Sequence, residues 1–277
     1  MAGAGTFPKV TGDTIYLADY NAIQTLVAGV KTTYYGISST SSQLTANATI
    51  GHTTLNYLLT DIDSCIRHQT GSDSGLTAKN QGDTISHLHF NDLYTYATQA
   101  QTNQNTVSSS TQLAQVSNAI TSNNPGTGWN TSKTHRVTVD FASAAAANYF
   151  FQTGGYLYAT ASYSGGTGSQ KDNNWGALIG RIGNRAYSLT HWITGGTVTI
   201  AKLYANSVYS ANYWQLSVIK NSSTQLSMTM LFQDDAVGNP NIDEGVFLNI
   251  TSSVGYYKSV GGITGTFPSG FTNTTTL

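Results

Sequence analysis

The chain of 277 residues balances 12 Lys and Arg against 13 Asp and Glu, for a net charge of −1, and only 9% of its residues are charged. No basic run could neutralise several phosphates, so nucleic acid is not an expected partner. Its one cysteine, Cys65, excludes an internal disulfide framework and a cysteine-rich metal site; apolar neighbours at helical spacing make it a buried, reduced thiol. Solubility falls to Ser, Thr, Asn and Gln, and the length suits two ordinary domains.

The opening "MAGAGTFPKV" has neither a basic nor a continuous apolar stretch, and no later segment approaches an 18-residue apolar run. Neither export nor membrane insertion is expected. "GDTIYLADYN" then begins at Gly12 and nearly recurs as "GDTISHLHFN" at Gly82, 70 residues later. In each copy an Asp and a Thr, Asp13 with Thr14 and Asp83 with Thr84, follow the Gly and could accept hydrogen bonds from a helix's first turn. Ile15, Tyr20 and Ile23 match Ile85, Phe90 and Leu93 as one apolar face, and Asn21 matches Asn91. A side-chain amide beside a packed aromatic is expected to tie down neighbouring backbone. We therefore read the pair as a duplicated helix entry.

Within the second copy, His87 and His89 are the only metal candidates. Their first-copy counterparts are Leu17 and Asp19, a helix would set them about 200° apart, and two imidazoles leave a tetrahedral metal short of ligands.

Leu55, Leu58, Leu59, Ile62 and Ile66 paint one stripe on a helix over 53–69. Leu88, Leu93, Tyr96, Ala97 and Ala100 predict a second helix, and Leu113, Val116 and Ile120 a third. After "SNNPGTGWN" the period changes. "HRVTVDF", "GGYLYATASY", "AYSLTHW", "TVTIAKLY", "YWQLSVIK", "QLSMTMLF" and "GVFLNITSS" predict short strands, interrupted by a short helix at "WGALIGRIG". The expected fold is α+β: a helical docking and oligomerisation domain over 1–125, a linker over 126–133, and an antiparallel, jelly-roll-like β-sandwich over 134–277.

Chemistry is sparse. Asp234, Asp235, Asp243 and Glu244 gather in "QDDAVGNPNIDEG", which lacks calcium-loop spacing and reads as a solvated hairpin loop. "GGTGSQKDN" lacks phosphate-loop spacing and reads as a flexible turn. No Gly-x-Ser-x-Gly elbow occurs, and the His residues have no Ser or Asp partner by spacing. No catalytic residue and no cofactor are expected, and the 17 Tyr suit strands and subunit interfaces as well as sugar stacking.

"NYFFQTGGYLYATASYSGG", "NNWGALI" and "LSMTMLFQDDAVGNPNIDEGVFLNITSSVGYYKS" resemble, in order over residues 148–259, virion structural proteins of tailed bacteriophages of the cyanophage and marine myophage type. That set carries an "FFN-x-GG-E-I-R-x-S" strand, a short Trp-containing helix and an "F-R-D-D … D-E-x-V … L-T-S" stretch. Its amino-terminal parts often hold a "G-D-x-I … Y-N" element like Gly12–Asn21. Here Tyr156, Leu157 and Tyr158 replace Glu-Ile-Arg and Gln233 replaces an Arg, so charge is lost at both places. The resemblance implies a non-enzymatic component of the tail, baseplate, neck or an attached fibre, located in the virion after assembly in the host cytoplasm. Its partners would be other virion proteins and further copies of itself, with a trimer favoured by analogy to phage fibres. A β domain gripping host surface glycans, a capsid decoration protein and a polysaccharide-degrading enzyme are the alternatives.

Overall fold

The computed structural model describes residues 3–108, 113–122, 128–235, 245–259, 263 and 266–276. The chain is α+β and divides into two compact units. One comprises 1–113 with the short segments 152–154 and 259–265, and the other holds the remainder.

The first unit is helical. It consists of α1 (Leu17–Ala28), which continues as a π-helix over Gly29–Tyr34, α2 (His52–Thr70) and α3 (His87–Thr102). The stripe on α2 is buried as its spacing demands, with Leu55, Leu58 and Ile62 fully enclosed and Cys65 a buried free thiol among them. Burial pushes that thiol up to about 12, so it stays protonated. Gly71 closes α2 with φ +88, a left-handed cap that glycine adopts without a Cβ penalty.

The decamers occur a third time in structure. The three helices begin 35 residues apart, at Leu17, His52 and His87, and each carries an Asn at its fifth position: Asn21, Asn56 and Asn91. Tyr20, Leu55 and Phe90 occupy one equivalent core position, and Ile23, Leu58 and Leu93 another; all six are fully buried. Thr25, Thr60 and Thr95 each donate to the carbonyl of the preceding Asn at 2.8 Å. The middle copy escapes notice in the sequence because Asn47 and Ala48 stand where the others have Gly-Asp. Asn47 nevertheless takes φ +70, beside +92 at Gly12 and +96 at Gly82, the left-handed conformation that Asn tolerates best after Gly.

The second unit contains β1 (Leu113–Ser122), β2 (Ser132–Asp140), α4 (Ala144–Gln152), β3 (Tyr156–Gly165), α5 (Gln170–Gly180) and β4 (Arg185–Tyr187). It continues with α6 (Leu189–Thr194), β5 (Thr197–Tyr204), β6 (Tyr213–Ser222), β7 (Gln225–Gln233), β8 (Leu248–Ser259) and β9 (Gly270–Thr276). Two antiparallel sheets, ordered β1-β8-β3-β4 and β5-β6-β7-β2-β9, send side chains into one core. The chain alternates between sheets less than a jelly roll does, since β5, β6 and β7 are successive neighbours in one sheet.

Alternation along β2 turns Lys133, His135, Val137 and Val139 inward, opposite Phe232, Met230, Met228 and Leu226 of β7. Trp214, Leu216 and Val218 of β6 continue the same rows, and Leu157, Ile250 and Val254 of the other sheet join the cluster.

The expected third helix is a strand, β1, whose backbone pairs with β8 within the sheet; its apolar spacing of three and four fits a helix, but long-range pairing overrides it. "AYSLTHW" splits into β4 and α6, because Ser188 and His191 form a helix start: the Ser188 amide donates to His191 Nδ1 at 3.2 Å. α4 and β9 were not expected, and β2 begins inside the expected linker, of which residues 126 and 127 lie outside the described residues.

Candidate functional site

The repeated element builds a clamp. Asn21 Nδ2 donates to the Leu44 carbonyl at 2.9 Å, and its Oδ1 accepts from the Leu44 amide at 2.8 Å. Asn56 does the same to Lys79, with both bonds 2.8 Å. Asn91 does the same to Lys9, at 2.8 and 2.7 Å. Leu44, Lys79 and Lys9 each lie eight residues before the next helix start, counting α1 as next after α3. Each repeat therefore grips the lead-in of the following one, and the last grips the first.

Asp13 and Asp83 act one step earlier than a helix cap. Asp13 Oδ2 accepts from the Val10 amide at 2.9 Å and its own amide donates to the Val10 carbonyl at 3.0 Å. Asp83 repeats this on Asn80 at 2.7 and 3.1 Å. Both close the tight turn containing the positive-φ glycine, a turn chemistry typical of Asp. The helix caps are Tyr16 and Ser86: Asp19 Oδ2 accepts from the Tyr16 amide at 2.7 Å, and Ser86 Oγ accepts from the His89 amide at 3.4 Å. The expectation that Asp13, Thr14, Asp83 and Thr84 cap the helices is thus corrected. Ile15 and Ile85 pack against the core that Tyr20 and Phe90 occupy, as their spacing implied.

Two buried ion pairs reinforce the unit. Lys9 Nζ lies 2.8 Å from Asp19 Oδ1, with both side chains fully buried. Asp61 gathers Lys31 Nζ at 2.5 Å, the Thr40 and Ser41 amides at 2.9 and 2.8 Å, and Ser41 Oγ at 2.6 Å. Burial alone would raise the Asp61 carboxyl, but these donors outweigh it and hold its pKa below the ordinary value.

His87 and His89 stand at the first and third positions of α3, on different sides of its axis. Burial, then Lys79, pushes the His89 imidazole down, with Asp92 opposing. Among the described residues no group of three or more His, Cys, Asp or Glu could hold a metal ion.

In the β unit, the polar groups that spacing kept apart come together inside the core. His135 Nδ1 lies 2.7 Å from Ser252 Oγ, both residues being fully buried. Burial and, second, Lys133 push the imidazole down to about 4, so it is neutral and hydrogen-bonded rather than poised to take a proton at neutral pH. With no exposed surface on either member, the pair satisfies two polar side chains within the sandwich instead of offering a nucleophile. Lys133 itself is fully buried, 5.8 Å from the Trp129 ring centroid, and its Nζ has no hydrogen-bond partner among the described residues. Burial lowers its pKa.

Asp234 is not in a solvated loop. Its carboxylate lies 2.6 Å from Lys171 Nζ, with each side chain 1% exposed. Burial pushes that carboxyl up, and Lys171 and Asn212 pull the other way. Asp235 is exposed, with its amide held by Asn212 Oδ1 at 2.8 Å; Asp243 and Glu244 lie outside the described residues. "GGTGSQKDN", expected as a flexible turn, is the entry to α5: Ser169 Oγ accepts from the Asp172 amide at 3.1 Å, and Asp172 accepts from the Thr167 and Phe247 amides at 2.7 Å each. The glycines let the chain turn onto that cap, and Lys171 in the helix's first turn points into the core.

Surface aromatics cluster at one end of β5 and β6. Tyr204 and Tyr213 lie 5.7 Å apart, but Lys202 Nζ sits 3.6 Å from the Tyr213 centroid and 5.0 Å from that of Tyr204, so a cation of the chain itself already occupies these rings. No helix among the described residues is long and apolar enough to cross a membrane. No family model, no curated protein and no solved structure matches the chain.

Proposed function

We propose that the chain is a non-enzymatic structural component of a tailed-phage virion, in the tail, baseplate, neck or an attached fibre. The observation that carries this reading is where the resemblance residues go. The "G-D-x-I … Y-N" element closes turns and clamps backbone, "NNWGALI" lies in α5 and turns Trp175, Leu178 and Ile179 into the core, and Asp234 of "FQDDAVGNP" is spent on a buried ion pair. Residues that hold a scaffold together suit a protein whose task is position in an assembly. The low charge agrees, since subunit interfaces are depleted of charge at their centres.

Recognition of host glycans by the β unit is the second reading, favoured by the exposed Tyr204 beside a half-buried Tyr213 and opposed by Lys202 lying over both rings. Protein mass spectrometry of purified particles separates these readings from a free enzyme: a structural component is present at a fixed copy number, tens rather than hundreds distinguishing a tail part from a decoration protein. Absence from the particle would refute both.

A further inference from the structure

Three buried pairs of a lysine with an aspartate lie among the described residues, and one differs from the other two in what surrounds its carboxylate. Asp19 accepts the Gly5 and Tyr16 amides at 2.6 and 2.7 Å, and Asp61 accepts the Thr40 and Ser41 amides and the Ser41 hydroxyl. Donors of that kind hold a carboxylate in its charged form, which a nitrogen nucleophile does not attack. Asp234 accepts no backbone amide among the described residues. Its carboxylate faces Lys171 Nζ at 2.6 Å and the Asn212 side chain.

The surroundings of this third pair are apolar. Both side chains are 1% exposed, Trp175 stands one turn beyond Lys171 on α5, and Phe232, two residues before Asp234, shares its face of the chain. The Trp175 and Phe232 rings, 6.3 Å apart, are fully buried. In such a site one proton moved from Nζ to the carboxylate removes both charges and leaves a free amine against a carboxylic acid. Burial pushes the Asp234 carboxyl up, toward that neutral pair, with Lys171 opposing. An amine and an acid held together are a nucleophile and its electrophile.

We infer that Lys171 Nζ and Asp234 Cγ join in an intramolecular amide bond, a covalent cross-link between α5 and the end of β7 that the folded chain makes on itself. Nζ lies 2.6 Å from Oδ2, and Cγ is one carbon-oxygen bond beyond, close to the roughly 3–3.5 Å from which positioned atoms react. The amine lone pair adds to Cγ. The charge that develops on the carboxyl oxygen meets Asn212, whose Oδ1 is fixed by the Asp235 amide at 2.8 Å so that Nδ2 faces Asp234. Collapse breaks the other carbon-oxygen bond and releases one water. Its oxygen comes from Asp234, one proton is the one Nζ passed to the carboxylate, and the second leaves Nζ as the amide forms. No oxidant or outside reactant is needed, and burial keeps away the water that would reverse the step. The inference is independent of the proposed role in the virion.

Mass spectrometry of the intact, purified full chain, with its amino terminus mapped, tests the bond. The expected result is a loss of one water, about 18 Da, from the sequence mass, and a branched tryptic peptide that contains both Lys171 and Asp234 without cleavage after Lys171. Lys171→Arg keeps a cation opposite Asp234 but cannot give up its charge to become a nucleophile, so this variant, checked for folding by its melting, should show the full sequence mass. Wild-type protein at the full sequence mass after prolonged incubation overturns the cross-link. An equal loss of water in Lys171→Arg also overturns it, by placing the dehydration elsewhere. Should the Arg variant fail to fold, the presence or absence of the branched peptide in wild-type protein decides the matter.

Discussion

Asn91 on α3 holds the backbone of Lys9, 82 residues upstream, through bonds of 2.7 and 2.8 Å to its amide and carbonyl. That contact closes the ring of repeats together with the Phe7 ring stacked on Tyr94, since no covalent connection joins the third repeat back to the first. Asn21 and Asn56 make the same contact where the chain already runs from one repeat to the next.

Replacing any of the three by Ala removes two hydrogen bonds and leaves a partly buried backbone amide and carbonyl without partners. Each variant should lose about 2 kcal/mol, within the ~1–3 kcal/mol cost of unsatisfied buried polar groups. Denaturant titration of Asn21→Ala, Asn56→Ala and Asn91→Ala checks this. Asn91→Ala should also raise hydrogen exchange at residues 3–11 selectively, because that clamp alone acts on this segment.

Asp61 should be among the costliest polar positions of the helical unit. Asp61→Ala strands the Lys31 ammonium, 6% exposed, along with the Thr40 and Ser41 amides, and should cost about 3–5 kcal/mol. Because its folded pKa is depressed, the stability Asp61 contributes is present above the ordinary carboxylate pKa. It is lost as pH falls through the lower folded value. The acid limb of a stability profile should therefore flatten in the Ala variant.

Lys133 predicts the opposite sign. A fully buried ammonium with no hydrogen-bond partner among the described residues opposes folding, so Lys133→Met, which keeps length and apolar contact, should stabilise by about 1–3 kcal/mol. A lowered melting temperature in that variant would show that the charge has a partner.

His135 ties stability to pH in the range near neutrality. Its folded pKa of about 4 lies below the unfolded value of 6.5, so the unfolded chain takes up the proton first. Stability is full above about pH 6.5 and falls as pH drops toward about 4, by on the order of 3 kcal/mol. His135→Gln should remove that slope, as read from melting temperatures at a series of pH values.

The alternation of apolar and polar residues made β5, β6 and β7 legible, because a half-buried strand has only two faces. The stripe from Leu55 to Ile66 made α2 legible for the same reason at the helical period. β1 was not legible: Leu113, Val116 and Ile120 satisfy a helical period, and only pairing with a strand more than 100 residues later decides the matter. Asp234 looked solvated because Asn, Gly and Pro follow it, whereas Lys171, distant in sequence, places it in the core. The amide pairs of Asn21 and Asn91 were anticipated as backbone ties, but the third, Asn56, was hidden by a neighbouring Asn47 doing the work of a glycine.

The most direct test of the proposed role is quantitative mass spectrometry on density-purified phage particles, read against the major tail and capsid proteins. This chain is expected at a constant copy number that survives high-salt washing. Its recovery only in the particle-free lysate, with none retained on virions, would contradict a structural role in the particle.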